Sequence, residues 1–312
     1  DRMHALMTAL LLLQAAVLPN GVTDPRTPAL TPDGRTVCFS WRGDLWATDI
    51  RGDRAIRCLT PCSERDMFPA FSPDGSWLAF TSARSGGGDV YLMPAGGGLA
   101  RRLTWHGGND RVLGWNADSD SVLFSSSREG GEARVYRVSV SGGTPDLLYS
   151  ISAGSMCHRG GNPVVELGVT PWWRAGYSGS GSADLWELRG GGWKRLTEGL
   201  TDERWPMAMP DGRLLFAADD GEGTMDLWEL QTDGRSRVTS VPEGSRITFP
   251  TLSADGSTLA WEQEGGLWIM DTDGGDPRRL ELPARVDVPF PMHVFAVTGG
   301  TTDSYHISPD GS

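Results

Sequence analysis

The stretch from Phe71 to Met93 reads FSPDGSWLAFTSARSGGGDVYLM. Pro73 presets the first corner of a tight turn, and Asp74 and Gly75 tolerate the positive φ that such turns need. A β-rich run, Trp77 to Thr81, follows the turn. A Gly-rich loop then leads to Val90-Tyr91, a small apolar residue followed by an aromatic. After a second turn at Gly96-Gly97 the unit closes with Arg101-Arg102-Leu103-Thr104. Strand, turn, strand, loop, strand, turn, strand is the order of a four-stranded antiparallel sheet.

Each part recurs along the chain. The turn reappears as Pro32-Asp33-Gly34, Pro210-Asp211-Gly212, the variant Ala254-Asp255-Gly256 and the degenerate Ala117-Asp118-Ser119. The aromatic pair reappears as Leu45-Trp46, Val135-Tyr136, Leu185-Trp186, Leu227-Trp228 and Leu267-Trp268, with spacings of 45, 45, 50, 42 and 40 between successive aromatics. Asp44, Asp89, Asp184 and Asp226 precede four of these pairs. The closing element recurs as Leu59-Thr60, Leu147-Leu148, Leu196-Thr197, Val238-Thr239 and Leu280-Glu281. One four-stranded unit cannot bury both faces alone, whereas six stacked about an axis can. The expected fold is therefore all-β: a six-bladed β-propeller of four-stranded antiparallel blades. The blades fall at about 25–60, 68–104, 109–148, 151–197, 202–239 and 247–282. Each unit is contiguous, so the ring should close without a shared blade, by packing of the first blade on the sixth. The aromatics at 46, 91, 136, 186, 228 and 268 are expected to fill the gaps between sheets.

The fourth unit departs from the pattern. It lacks a Pro-Asp-Gly turn and carries Val164-Val165-Glu166-Leu167, then Trp172-Trp173-Arg174, then a Gly/Ser run from Ser178 to Ser182 expected to form a flexible loop. The paired tryptophans fit either packing against an irregular blade or a partner surface.

Composition agrees with many short strands and tight turns: 42 Gly and 20 Pro in 312 residues. The net charge of -12 disfavours nucleic acid and anionic membrane partners. Residues 1–22 read as a signal peptide, since Arg2 and His4 precede an apolar run, Ala5 to Leu18, too short to span a bilayer; an uncleaved anchor or a mis-set start is the other reading. This implies a periplasmic or extracellular location. Export would permit disulfides, and Cys58 and Cys62 are close enough to pair, with unpaired thiols the other reading. Residues 283–304 read as a Pro-rich linker. Tyr305 to Ser312 begin another repeat that stops within its first turn, as expected of a longer parent chain.

No catalytic, cofactor-binding or metal-binding residue is assigned. Gly176-Tyr177-Ser178-Gly179-Ser180 misses the last Gly of a nucleophile elbow. The histidines, at 4, 106, 158, 293 and 306, form no zinc pattern. Cys157 and His158 are sequence neighbours, which rarely face each other. Asn116, Asp118 and Asp120 resemble the start of a calcium loop, but Ser121 stands where Gly is needed and no closing Glu follows. No cofactor is expected.

The stretch Phe71 to Met93 and its Arg101 to Thr104 ending resemble the Pro-Asp-Gly β-propeller family of bacterial proteins, over residues 25–282. Arg204-Trp205-Pro206-Met207, Gly212 to Phe216 and Gly223 to Trp228 resemble the first propeller of tricorn-type peptidases. In that family a six-bladed propeller precedes a seven-bladed one, a PDZ domain and a serine peptidase core. The resemblance implies that the parent protein cleaves peptides and that this propeller gates or channels them. The family's catalytic residues lie in later domains, and no position here matches them. The partners so implied are peptide or protein substrates and downstream peptidase domains of the same chain; a homo-oligomer is left open. An export signal departs from the cytoplasmic founding members. Two other readings remain: a free-standing interaction propeller like that of the Tol–Pal system, and the propeller of a prolyl-oligopeptidase-type enzyme.

Overall fold

The structure, a computed structural model, describes residues 21–283. The expected linker beyond Pro283, the repeat begun at Tyr305 and nearly all of the expected signal segment lie outside the described residues. Within them are six sheets. Blade 1 comprises β1 (Arg26–Leu30), β2 (Thr36–Trp41), β3 (Asp44–Asp49) and β4 (Arg57–Cys58). Blade 2 comprises β5 (Asp66–Phe71), β6 (Trp77–Ser82), β7 (Asp89–Pro94) and β8 (Arg101–Arg102). Blade 3 comprises β9 (Asp110–Trp115), β10 (Ser121–Ser126), β11 (Arg134–Ser139) and β12 (Asp146–Tyr149). Blade 4 comprises β13 (Met156–Arg159), β14 (Asn162–Leu167), β15 (Asp184–Arg189) and β16 (Gly192–Arg195). Blade 5 comprises β17 (Glu203–Ala208), β18 (Leu214–Asp219), β19 (Met225–Gln231) and β20 (Gly234–Arg237). Blade 6 comprises β21 (Thr248–Leu252), β22 (Thr258–Gln263), β23 (Gly266–Asp271) and β24 (Arg278–Arg279). In every sheet neighbours in sequence are neighbours in space and run antiparallel.

The repeated residues hold the same local geometry each time. In the Pro-Asp-Gly turns the Asp carboxylate closes the turn: Asp33 accepts from Thr31 Oγ1 at 2.7 Å, and Asp74 accepts from Ser72 Oγ and the Ser76 N–H. The third turn position is left-handed, φ 74° at Gly256, and a Cβ there would stand 2.6 Å from Cδ of Pro210 in the neighbouring blade. In blade 3 Ser119 takes that conformation, at φ 61°, without the help of glycine. Blade 4 replaces the turn with a tight Gly160-Gly161 hairpin that joins β13 to β14. The closing threonines are explained by β3, β7, β15 and β19: the N–H of Leu45, Val90, Leu185 and Leu227 donates to Oγ1 of Thr60, Thr104, Thr197 and Thr239. The Asp before the aromatic pair serves the same edge. Asp44 accepts from Cys62 N–H and Asp226 from Val241 N–H, each at 2.9 Å.

Six apolar clusters fill the six gaps between adjacent blades. Phe80, Leu45 and Tyr91 lie between blades 1 and 2, and Phe124, Leu92 and Tyr136 between blades 2 and 3. The third-strand aromatic of each blade packs toward the preceding blade, as expected. Tyr91 and Tyr136 are buried, but Trp46, Trp186, Trp228 and Trp268 are only half-buried, because the wider indole reaches the outer rim. The ring closes as expected, without a shared sheet. Phe39, Trp41 and Val37 of blade 1 pack on Ala260, Leu267 and Ile269 of blade 6. Val22 N–H donates to Leu282 O at 2.9 Å, and Arg26 pairs with Glu262 at 3.0 Å across the same seam. Each fully buried Phe contributes about 1.5–3 kcal/mol relative to exposure.

Candidate functional site

The innermost strands, β1, β5, β9, β13, β17 and β21, surround an axial cavity of about 420 Å³. At the turn-bearing face its wall includes Pro32, Pro73, Ala117, His158, Ala208 and Ala254. Toward the other face it narrows at Thr27, Phe68, Arg111, Gly154, Trp205 and Phe249. Four of these narrowing residues share one sequence device. Thr27, Phe68, Trp205 and Phe249 each precede a proline that lies four residues ahead of the turn's first position. Proline has no N–H for the sheet ladder, so the strand bulges at that point. Thr27-Pro28 faces the single residue Phe39, Phe68-Pro69 faces Phe80, Trp205-Pro206 faces Phe216, and Phe249-Pro250 faces Trp261. The residue ahead of each proline is left-handed, with φ of 46°, 52°, 51° and 47°. Strained backbone of this kind persists only where the surroundings hold it.

Those surroundings are the neighbouring blades. Thr27 N–H donates to Glu262 and Trp205 N–H donates to Glu166, each glutamate standing on the second strand of the preceding blade. Glu166 is buried and pairs with Arg204 at 2.6 Å, while Arg204 also pairs with Asp202 at 3.0 Å. Burial pushes the Glu262 carboxyl up, against the hydrogen bonds from Thr27 and Arg26. The bulged side chains then meet over the axis. Phe249 lies 5.1 Å from Trp205 and 6.2 Å from Phe68, centroid to centroid. Arg111 stands over the Phe68 ring at 5.1 Å and donates to Gly154 O. Burial lowers its pKa from the ordinary arginine value, against the raising effect of the Glu166 charge.

From the far side, the loop between β14 and β15 crosses from blade 4 toward blade 6. Trp172 packs on Phe249, centroids 5.0 Å apart at 73°, so the packing reading holds for Trp172 while Trp173 stays 69% exposed. The Gly/Ser run expected to be flexible is tied to blade 5. Gly179 N–H donates to Leu200 O at 2.8 Å, Ser182 Oγ donates to the same oxygen at 2.6 Å, and Gly176 N–H reaches Asp219.

Most of the other motifs are spent on local structure. Asn116 Nδ2 donates to Asp120 and Ser121 N–H donates to Asn116, so these side chains build the turn. Cys157 packs in the blade 4–5 cluster, where burial pushes its thiol up to about 12, too high for a thiolate nucleophile at neutral pH. His158 lines the cavity, and burial lowers its pKa. The four cysteines are unpaired, Cys58 and Cys62 included. Among the described residues no three His, Cys, Asp or Glu side chains converge as a metal site.

A family model described as the tricorn protease N-terminal beta propeller domain matches residues 25–276. The chain belongs to the tricorn protease N-terminal β-propeller family. It is 30% identical over 299 residues to tricorn protease homolog 1 of Streptomyces coelicolor, covering 86% of this chain and 26% of that protein. The crystal structure of the tricorn protease superposes with a TM-score of 0.75 at 19% identity, over 86% of this chain and 27% of that one. The propeller thus spans about a quarter of the length of these tricorn relatives. A shorter similarity, 41% over 83 residues, links 25% of the chain to 18% of the Tol-Pal system protein TolB of Anaeromyxobacter dehalogenans. The β-propeller domain of the trilobed protease of Pyrococcus furiosus, described as having an open velcro topology, shares the fold, with a TM-score of 0.56 at 13% identity. It covers 83% of this chain and 98% of that one. The tricorn-type propeller therefore carries a constriction that the sequence reading missed. Its signal was present: the proline four residues ahead of the turn, beside an aromatic in three of four copies.

Proposed function

We propose that this propeller gates or channels peptide segments for an exported tricorn-like serine peptidase, through its axial cavity. The observation that carries the reading is the constriction of Phe68, Trp205, Phe249 and Arg111 on the axis of a tricorn-family propeller. Aromatic and proline faces hold extended chain by apolar contact, and a narrow axis excludes folded protein. Catalysis belongs to other domains of the parent protein. Export rests on the apolar run Ala5 to Leu18; no helix among the described residues is long and apolar enough to cross a membrane.

The test uses the full-length parent peptidase with Phe249→Ala and Trp205→Ala introduced together. Turnover of fluorogenic peptides of increasing length is compared with that of the unaltered enzyme. Widening the constriction should raise the ratio of long-peptide to short-peptide turnover several-fold. An unchanged ratio would overturn the gating role. The local similarity to a Tol-Pal protein favours a second reading, an interaction propeller, which predicts that unchanged ratio.

A further inference from the structure

A second cavity, of about 520 Å³, opens on the face opposite the Pro-Asp-Gly turns, where the blade 4 loop meets blades 6 and 1. Two of its walls are indole rings. Trp172 and Trp173 lie 5.7 Å apart with their planes at 88°, so they form a corner. The corner is braced, because Trp172 packs on Phe249 and its carbonyl accepts from Arg246 Nη2 at 3.2 Å. Trp173 turns its surface to solvent. Isolated exposed apolar residues are ordinary, but this one lines a cavity beside charge.

That charge is negative. Arg26 is already engaged by Asp24 at 3.2 Å and by Glu262 at 3.0 Å. Arg246 is engaged at 2.5 Å by Asp219, which lies outside the cavity. Glu243 and Glu264 also line the cavity, and among the described residues neither makes an ion pair, Glu264 accepting only from Ser245 Oγ at 3.0 Å. Two exposed carboxylates and two indoles therefore line the same cavity. Aromatic faces attract cations through the ring quadrupole, and the carboxylates add Coulomb attraction.

We propose that this corner is a binding site for a cationic peptide side chain, lysine or arginine, seated against Trp173 and Trp172 with its charge toward Glu243 and Glu264. The aliphatic stem of such a side chain suits the apolar corner and its head suits the acidic rim. The site lies on the opposite face from the axial cavity's turn-bearing end, and its occupancy does not depend on peptidase gating.

Indole N–H resonances of the full chain, followed by two-dimensional NMR, test this directly. Acetyl-Gly-Lys-Gly-amide and acetyl-Gly-Arg-Gly-amide should shift the Trp172 and Trp173 signals saturably and leave the exposed Trp105 unmoved. The norleucine analogue, equal in apolar length but uncharged, should bind at least tenfold more weakly. Trp173→Ala should weaken the lysine peptide about three- to fivefold, in line with a cation–π contact at an exposed site. Glu243→Gln with Glu264→Gln, or 0.5 M salt, should each weaken it severalfold. Equal binding of the norleucine peptide, unchanged binding by Trp173→Ala, or equal shifts at Trp105 would overturn the proposal. Putrescine binding as tightly as the lysine peptide would overturn the assignment to a peptide.

Discussion

Thr60, Thr104, Thr197 and Thr239 show how one hydroxyl repeats a structural role. Each accepts the N–H of the buried residue that starts the third strand's apolar pair, a donor left over where the short fourth strand ends. Thr239→Val keeps the shape and removes the acceptor. Stability to urea should fall by about 1–3 kcal/mol, the cost of an unsatisfied buried N–H, and no loss would refute the role. The turn aspartates give the acid behaviour its sign. The Thr31 hydroxyl holds Asp33 below the usual carboxylate range, the Ser72 hydroxyl does so for Asp74, and the Arg213 N–H does so for Asp211. A lowered folded pKa adds stability above the ordinary Asp value and loses it as pH falls through the lowered value. Glu262 runs the other way: its raised pKa adds stability below the ordinary Glu value that is lost as pH rises through the raised value. The thermal midpoint should therefore drop below about pH 4. In a variant with Asp33, Asp74 and Asp211 all changed to Asn, that acid slope should be shallower.

At the scale of elements, the bulged inner strands and the blade 4 loop decide what the axis can do. The bulges at Thr27, Phe68, Trp205 and Phe249 come from proline, and proline is visible in sequence. That the preceding side chains meet over the axis is not visible, since it depends on how far each blade is rotated about the ring. The loop from Gly168 to Ala183 is similar. Its Gly/Ser content reads as mobility, yet Asp219, buried on blade 5, and Arg246, half-buried at the entry to blade 6, anchor it. Asp219→Asn removes the carboxylate that holds both Arg246 and the Gly176 N–H. Hydrogen exchange at residues 169–181 should accelerate at least tenfold while the blade strands keep their protection; unchanged exchange would show that the anchor lies elsewhere.

For the whole molecule, closure is the informative event. Many rings gain closure from a sheet shared between the two ends of the chain; this one relies on Val37, Phe39 and Trp41 against Ala260, Leu267 and Ile269. If that seam is packed like the others, Phe39→Ala and Phe124→Ala should destabilise alike, each by about 3–5 kcal/mol in urea unfolding. A much smaller effect at Phe39 would mean that the ring opens at the seam before it unfolds.

The sequence by itself determined the blade: its turns, its four strands, its third-strand aromatic, and, from the contiguity of every unit, a ring without a shared sheet. These are local matters, governed by φ preferences at Pro-Asp-Gly and by alternation along strands, and they repeat often enough to be read by eye. Only the tertiary structure decided which side chains meet across the axis and around the second cavity. Phe68 and Phe249, or Trp173 and Glu264, stand far apart in sequence and on different blades. Their meeting is set by the stacking angle between sheets, a property of the packed seams that no single repeat encodes.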